Sequence, residues 1–241
     1  MKTKLLYLED TYCFAVHAHC VDSGVDERGP YLILDETLFY PQGGGQPADS
    51  GVISISGVEL PVQFAGFVEG AVRHYVEAVP SGLAAGTPAE LHVDEASRLH
   101  HARLHTAGHL IAGALEGLMP SWKAVKGHHS TDSAYVEFEG TLPEEARASA
   151  LASLEEALAK AVAAALSVDS RLIDAEELAQ LGIALPPHLP EGKPLRVVTI
   201  EGYPPVPCGG THIANTQALS GLTVSKLKAK RGCIRVSYAA P

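Results

Sequence analysis

His105-Thr106-Ala107-Gly108-His109 sets two imidazoles four residues apart. On a helix that spacing puts both rings on one face, with β-carbons roughly 6 Å apart, so that they can converge on a single metal ion. Gly108 and Ala112 lie on the shared face and are small enough to leave room for a ligand. About a hundred residues later, Cys208-Gly209-Gly210-Thr211-His212 sets a thiol and an imidazole around two glycines, whose missing side chains permit a tight turn. Each half also has an ordinary reading: a chance spacing among twelve histidines, or a Gly-Gly turn flanked by a buried cysteine and a surface histidine. Together, His105, His109, Cys208 and His212 make a three-nitrogen, one-sulfur set suited to zinc. Four protein ligands complete a tetrahedron, as in structural zinc sites, whereas a catalytic ion needs an open position. His212, at the end of the turn, is the candidate for the looser ligand.

These residues need a helix and a distant turn to bring them together. From residue 95 the apolar positions Leu104, Ala107, Ile111, Ala114, Leu115 and Leu118 recur every three or four residues, predicting a helix to about Met119, where Pro120 stops it. Thr141-Leu142-Pro143-Glu144 has the pattern of a capping box opening a second helix to about Leu166, with Leu151, Leu154, Leu158, Val162 and Ala165 buried. Asp174-Ala175-Glu176-Glu177 opens a shorter helix ending near Gly182. Before residue 95, runs at 12–19, 31–34, 51–55 and 71–79 are rich in Val, Ile, Tyr and Phe and separated by Gly, Pro, Asp and Ser, the spacing of a small barrel or meander. Further strands are expected at 134–138, 195–200, 222–227 and 233–239. The expected architecture is α+β, with a β-barrel-like domain over 1–94 and a mixed domain over 95–241 in which an antiparallel sheet packs with helices.

Charge limits the partners. The 28 acidic against 18 basic side chains give a net charge of −10, which argues against a protein that coats nucleic acid or anionic membranes through its general field. The imbalance is uneven: residues 217–241 contain five basic side chains (Lys226, Lys228, Lys230, Arg231 and Arg235) and no acidic one. Four cysteines are too few for a disulfide scaffold, and the N-terminal apolar run is broken by Glu9 and Asp10, so a reducing, cytoplasmic setting without a membrane span is expected. Cys13, His17, His19 and Cys20 share one strand-like run, but Cys20 would face away from the other three, which argues against a second metal site. His100 and His101 are expected on the helix surface.

His105-Thr106-Ala107-Gly108-His109-Leu110 followed by Cys208-Gly209-Gly210-Thr211-His212 resembles the zinc site of the editing domain shared by alanyl- and threonyl-tRNA synthetases, and the Cys-Gly-Gly-Thr-His form favours the alanyl branch. Phe39-Tyr40-Pro41-Gln42-Gly43-Gly44-Gly45-Gln46-Pro47, with Asp49 and Gly51, is similar to the Gly-rich motif of that branch. Lys126-Gly127-His128-His129, Asp132 and 135–138 resemble the strand segment lining the family's amino-acid pocket. With no room for an adenylation domain, the chain looks like a member of the freestanding AlaX family, in its medium-length form. Two departures bear on the pocket: Gly108 stands where many members carry a larger residue, and Val125 where some editing domains are polar.

The resemblance implies a trans-editing hydrolase that deacylates mischarged tRNA(Ala), most readily the seryl form, with Zn2+ at the active site as a Lewis acid. A site with buried polar groups for the substrate hydroxyl favours serine over alanine, the discrimination a hydrophobic pocket handles badly. Thr106, His129, Asp132 and Thr211 are the candidates for that work. Gln42, Gly43, Gly44, Gly45 and Gln46 are expected to approach the tRNA end, with the Lys226–Arg235 cluster on acceptor-stem phosphates. Two alternatives stand beside this: a tRNA-binding module with a structural zinc, and a zinc hydrolase acting on another ester. Monomer and homodimer are both compatible with the sequence.

Overall fold

The computed structural model describes residues 2–183, 193–230 and 232–241. Of the expected basic cluster, Arg231 lies outside the described residues, as does the side chain of Lys230.

The N-terminal part is all β. Its strands are β1 (Lys4–Leu5), β2 (Ala15–Asp26), β3 (Gly29–Leu34), β4 (Glu36–Thr37), β5 (Gly51–Ile55), β6 (Val58–Val62), β7 (Phe64–Val68), β8 (Ala71–Tyr75) and β9 (Thr87–Val93). Seven of them form one sheet in the order β6-β5-β9-β2-β3-β8-β7, antiparallel throughout. The outermost strands β6 and β7 do not pair with each other among the described residues, so hydrogen bonds do not close the sheet into the expected barrel. The strand expected at 12–19 runs on to Asp26, because β2 pairs with β9 through its first half and with β3 through its second. Alternation sorts its side chains: Ala18 and Cys20 enter a core with Leu32, Leu34, Ile53 and Leu91, while His17 and His19 stay exposed. His19 bonds Asp35 across 3.3 Å, and the Cys13-to-Cys20 run forms no metal cluster among the described residues.

Helix α1 (Glu95–Leu118) begins where Asp94 accepts a hydrogen bond from the Ser97 N–H, a side-chain cap at the point where the periodicity changes. It is buried around most of its circumference, including Arg98, His101, His105 and Thr106 as well as the apolar stripe. His101, expected on the surface, is therefore 8% exposed. Arg98 explains the position of the Gly-rich segment: wholly buried, it pairs with the buried Asp49 and donates to the carbonyls of Thr11 and Leu38. Asp49 in turn accepts from the Tyr40 N–H at 2.6 Å. This buried ion pair, fully hydrogen-bonded, fastens residues 38–49 to the first turn of α1.

Beyond α1 come β10 (Lys123–Ser130), β11 (Ser133–Glu139), α2 (Arg147–Ala163), β12 (Val168–Leu172), α3 (Ala175–Gln180), β13 (Arg196–Ile200), β14 (Val206–Pro207), β15 (Thr223–Lys230) and β16 (Cys233–Ala239). The order β10-β11-β16-β15 makes an antiparallel sheet whose inner face (Val136, Phe138, Ile234, Val236, Tyr238) packs with Leu110, Ile111, Leu154 and Leu158 of the helices. A smaller sheet, β12-β13-β14, carries the turn that holds Cys208. Two expectations for α2 fail. Pro143 has ψ 147°, which breaks helical geometry where the capping box would need it, so a 3-10 turn (Glu144–Ala146) leads into the helix without a side-chain cap. The buried stripe is Ala150, Leu154, Leu158 and Ala161, one position offset from the expected Leu151 and Val162. Helix α3 is capped by Asp174, as its sequence indicates. None of the described helices is long and apolar enough to cross a membrane.

Candidate metal centre and its cavity

His105 and His109 project from the middle of α1 toward the turn after β14, where Cys208 and His212 meet them. One donor atom from each of the four lies within 4.8 Å of the others. The Cys208 Sγ is 3.4 Å from His105 Nε2 and 3.3 Å from His212 Nε2. Tetrahedral zinc with ordinary Zn–N and Zn–S bonds separates such atoms by about 3.5 Å. The residues therefore fit a small tetrahedral cation, and among the described residues no other group of three or more such ligands occurs.

Hydrogen bonds behind the rings fix which nitrogen faces the centre. The Gln46 Oε1 accepts from the Thr211 N–H at 3.1 Å and lies 2.7 Å from His105 Nδ1, so Nδ1 carries the proton and Nε2 keeps its lone pair. The Gln46 Nε2 donates to Thr211 Oγ1 at 2.9 Å. Thr106 Oγ1 donates to the Ala102 carbonyl, accepts from the Ile213 N–H and lies 3.0 Å from His212 Nδ1, which fixes the same tautomer there. His212, expected to be the looser ligand, is thus braced as His105 is. His109 has no such brace among the described residues. His109 and Cys208 are the two partly exposed members of the set, and His105 and His212 the two buried ones.

Burial also sets protonation. It lowers the pKa of His109 to about 4 and holds His105 and His212 well below the ordinary imidazole value, so all three are neutral donors near pH 7. Burial raises the Cys208 thiol, against the Gly210 N–H and the charges of Arg196 and Lys193, which lower it. Arg196, 5% exposed, donates to the Cys208 and Gly210 carbonyls and to Ser170 Oγ, clamping the ligand turn onto β13. Gly210 is required here, since a β-carbon would lie 2.1 Å from the His105 ring.

Three of the four, His105, His109 and Cys208, line a cavity of about 690 Å³, and the buried His212 does not. Its walls include His105, His109, His129, Lys193, Gly44 and Gly127. Of the four residues expected to read a hydroxyl, His129 alone lines it. Thr106 and Thr211 are wholly buried behind the ligands, and Asp132 is exposed in the turn between β10 and β11. The His129 ring stacks on His105 at 4.3 Å and bonds Tyr238 Oη through Nδ1 at 2.6 Å; Tyr238 donates onward to the Leu104 carbonyl. Burial lowers its pKa to about 3, leaving it neutral. The space expected beside Gly108 is taken by this ring, whose Cε1 would lie 2.4 Å from a β-carbon there.

The Gly-rich segment divides. Gln46, expected at the tRNA, is 1% exposed and committed to Thr211 and His105. Gly45 has φ +80° and approaches β10 so closely that a β-carbon would meet the Gly127 carbonyl at 2.2 Å, while its own carbonyl accepts from the His129 N–H. Gly44 and Gln42 are exposed, and Gly43 closes the turn by bonding Gln46. Lys226, Lys228 and Arg235 lie exposed on the β15–β16 pair, with Arg235 bonded to Glu137. Sequence reasoning missed Lys193 and Arg196. Nothing marks Lys193 in the sequence, whereas a lone Arg in the apolar run of β13 was a usable signal.

A family model described as tRNA synthetases class II (A) matches residues 6–97. Over nearly its whole length the chain is similar to the alanyl-tRNA editing protein AlaX-M of Methanosarcina barkeri, with 31% identity across 98% of each chain. The AlaX-M protein of Methanosarcina acetivorans is 32% identical, again across 98% of each. The alanine–tRNA ligase of Korarchaeum cryptofilum is 32% identical over 99% of this chain, which spans 26% of that protein.

Proposed function

The chain belongs to the family of alanyl-tRNA editing proteins, and from that premise we propose that it hydrolyses the ester of mischarged tRNA(Ala), with Ser-tRNA(Ala) as its substrate and Zn2+ in the His105, His109, Cys208, His212 set. The observation that carries this reading is the convergence of those four donors, three of which (His105, His109 and Cys208) line a cavity of about 690 Å³, a volume in the range that encloses small-molecule ligands. When bound, the ion supplies Lewis-acid polarisation at the ester. The protein's own residues do the rest. His129, neutral and with Nε2 unpartnered among the described residues, accepts a hydrogen bond from the serine hydroxyl. Lys193, with Nζ 5.6 Å from the Tyr40 ring centre and close to Gly209, adds positive charge where the ester becomes anionic. Thr106 and Thr211 act through His212 and Gln46 as positioning residues. Gly44 and Gln42, with Lys226, Lys228, Lys230, Arg231 and Arg235, meet the tRNA end. In this division the 1–94 part supplies the Gly-rich loop and the 95–241 part the hydrolytic centre.

A second reading is a tRNA-binding module with a structural ion, favoured by the four-ligand set itself, which leaves no vacant tetrahedral position. Deacylation of seryl-, glycyl- and alanyl-tRNA(Ala) separates the two. Cleavage of the seryl species, lost in folded His105→Ala and Cys208→Ala variants, supports hydrolysis; binding without cleavage supports the second reading. Cleavage of none of the three, with no binding, removes both.

A further inference from the structure

The outer face of the β10-β11-β16-β15 sheet is covered by no other element among the described residues, since α1 and α2 pack on its inner face. Strand register arranges that outer face into rows. Lys126 stands opposite Glu137, Glu137 opposite Arg235, and Arg235 opposite Lys228, so one row crosses all four strands. The adjacent row is His128, Tyr135, Ser237 and Lys226. Glu137 is the one carboxylate in the two rows, against four Lys and Arg side chains, in a chain whose net charge is −10. The first row begins at the cavity, because Lys126 and Gly127 of β10 form part of its wall. At strand spacings near 4.8 Å, the row extends about 14 Å from that rim.

The centre of the patch has a stacking element. The Arg235 guanidinium lies 4.0 Å above the centre of the Tyr135 ring, held there by Glu137 Oε1, and the His128 ring is 5.2 Å from Tyr135 at 34°. Arg235 is half exposed, so the outer plane of its guanidinium is open to a further flat group. Bases stack on guanidinium and aromatic planes only when they are unstacked from a duplex.

We propose that this sheet face is the track for the single-stranded 3′ end of the RNA: Lys126, Lys226 and Lys228 meet its phosphates, a base stacks on the Arg235–Tyr135 pair, and the terminal nucleotide turns over Lys126 into the cavity. The proposal rests on the tRNA-editing reading and adds β10 and β11 to the β15–β16 cluster. A duplex would gain nothing from the stack, and the acidic remainder of the chain disfavours a long helical footprint.

The test uses the full chain and two RNA hairpins of the same stem, neither of them aminoacylated, one with a four-nucleotide single-stranded 3′ overhang and one blunt, with affinity followed by anisotropy across a salt series. The overhang hairpin is expected to bind at least fivefold more tightly. Lys126→Ala and Tyr135→Ala should each cost that hairpin fivefold or more and the blunt one little, with Tyr135→Phe near wild type. Lys126→Ala should also flatten the log–log salt dependence by about 0.7, the share of a single neutralised phosphate on a single strand. Equal binding of the two hairpins, or losses no larger than for Lys160→Ala on α2, overturns the track. So does self-association of the protein that Lys126→Glu abolishes, since the face would then be a dimer contact. If these losses are absent while wild type still cleaves Ser-tRNA(Ala), only the track fails; if wild type neither cleaves nor binds, the editing reading fails first. Unchanged thermal transitions of the variants exclude misfolding.

Discussion

Gln46 Oε1 lies 2.7 Å from His105 Nδ1, and the Gly-rich segment thereby sets the tautomer of a candidate metal ligand on α1. Gln46→Leu leaves both the His105 Nδ1–H and the Thr211 N–H without an acceptor in a buried place. Unmade buried hydrogen bonds cost about 1–3 kcal/mol each, and loss of such a partner lowers metal affinity about 10–100-fold. Zinc competition with a chromophoric chelator measures the second effect, and urea unfolding the first. A variant with wild-type affinity would show that the tautomer is set elsewhere.

Thr106 holds His212 as Gln46 holds His105. Thr106→Val should weaken metal binding by about tenfold or more, and Thr106→Ser should restore it. A residue that instead touched substrate would raise KM at full metal occupancy. Metal content and KM measured on the same preparations distinguish the two.

Gly108 is where α1 admits the His129 ring. Gly108→Ala would place a β-carbon 2.4 Å from His129 Cε1 and 2.8 Å from Tyr238 Oη, so the ring must move. Overpacking of this kind costs about 1–3 kcal/mol. Adding His129→Ala to Gly108→Ala should recover part of that loss, a coupling read from a double-mutant cycle in urea. Strict additivity would mean that ring and helix do not press on each other.

His74 lies far in sequence from the centre, fully buried between Thr37 Oγ1 at 2.7 Å and the Leu32 carbonyl at 3.1 Å. Burial lowers its pKa from 6.5 to about 4. The folded state thus refuses a proton that the unfolded chain accepts. Its contribution is complete above pH 6.5, declines by about 1.4 kcal/mol per pH unit as pH falls toward 4, and levels off below. Metal-loaded wild type and His74→Gln, compared by urea unfolding at several pH values, should differ by that slope. Parallel curves would place the proton-linked loss in other groups.

The ligand set illustrates what sequence can and cannot convey. Helical spacing is a local property, so His105 and His109 were bound to share a face once apolar periodicity predicted α1. The two glycines after Cys208 were equally local, and Gly210 proves indispensable for the approach to His105. The same logic misread Thr141–Glu144, because Pro143 outweighed the capping pattern beside it. It also placed His101 on the surface, since a helix packed against β10, β11 and α2, and tied through Arg98 to the Gly-rich segment, has little surface left.

By itself the sequence determined the candidate metal ligands that converge in the fold, the α1 scaffold, the α+β class and the family resemblance, because each is written in short-range spacing or motif. Only the tertiary structure decided what stands behind those ligands. Thr106 and Gln46 were candidates for substrate and tRNA, and both are turned inward as braces by contacts spanning 106 and 59 residues. A polar residue in a motif has the same letter whether it faces a cavity or a ligand's far nitrogen. Which it faces depends on chain segments that no local pattern brings together: the Arg98–Asp49 pair, the Arg196 clamp, and the glycine contact between residues 45 and 127.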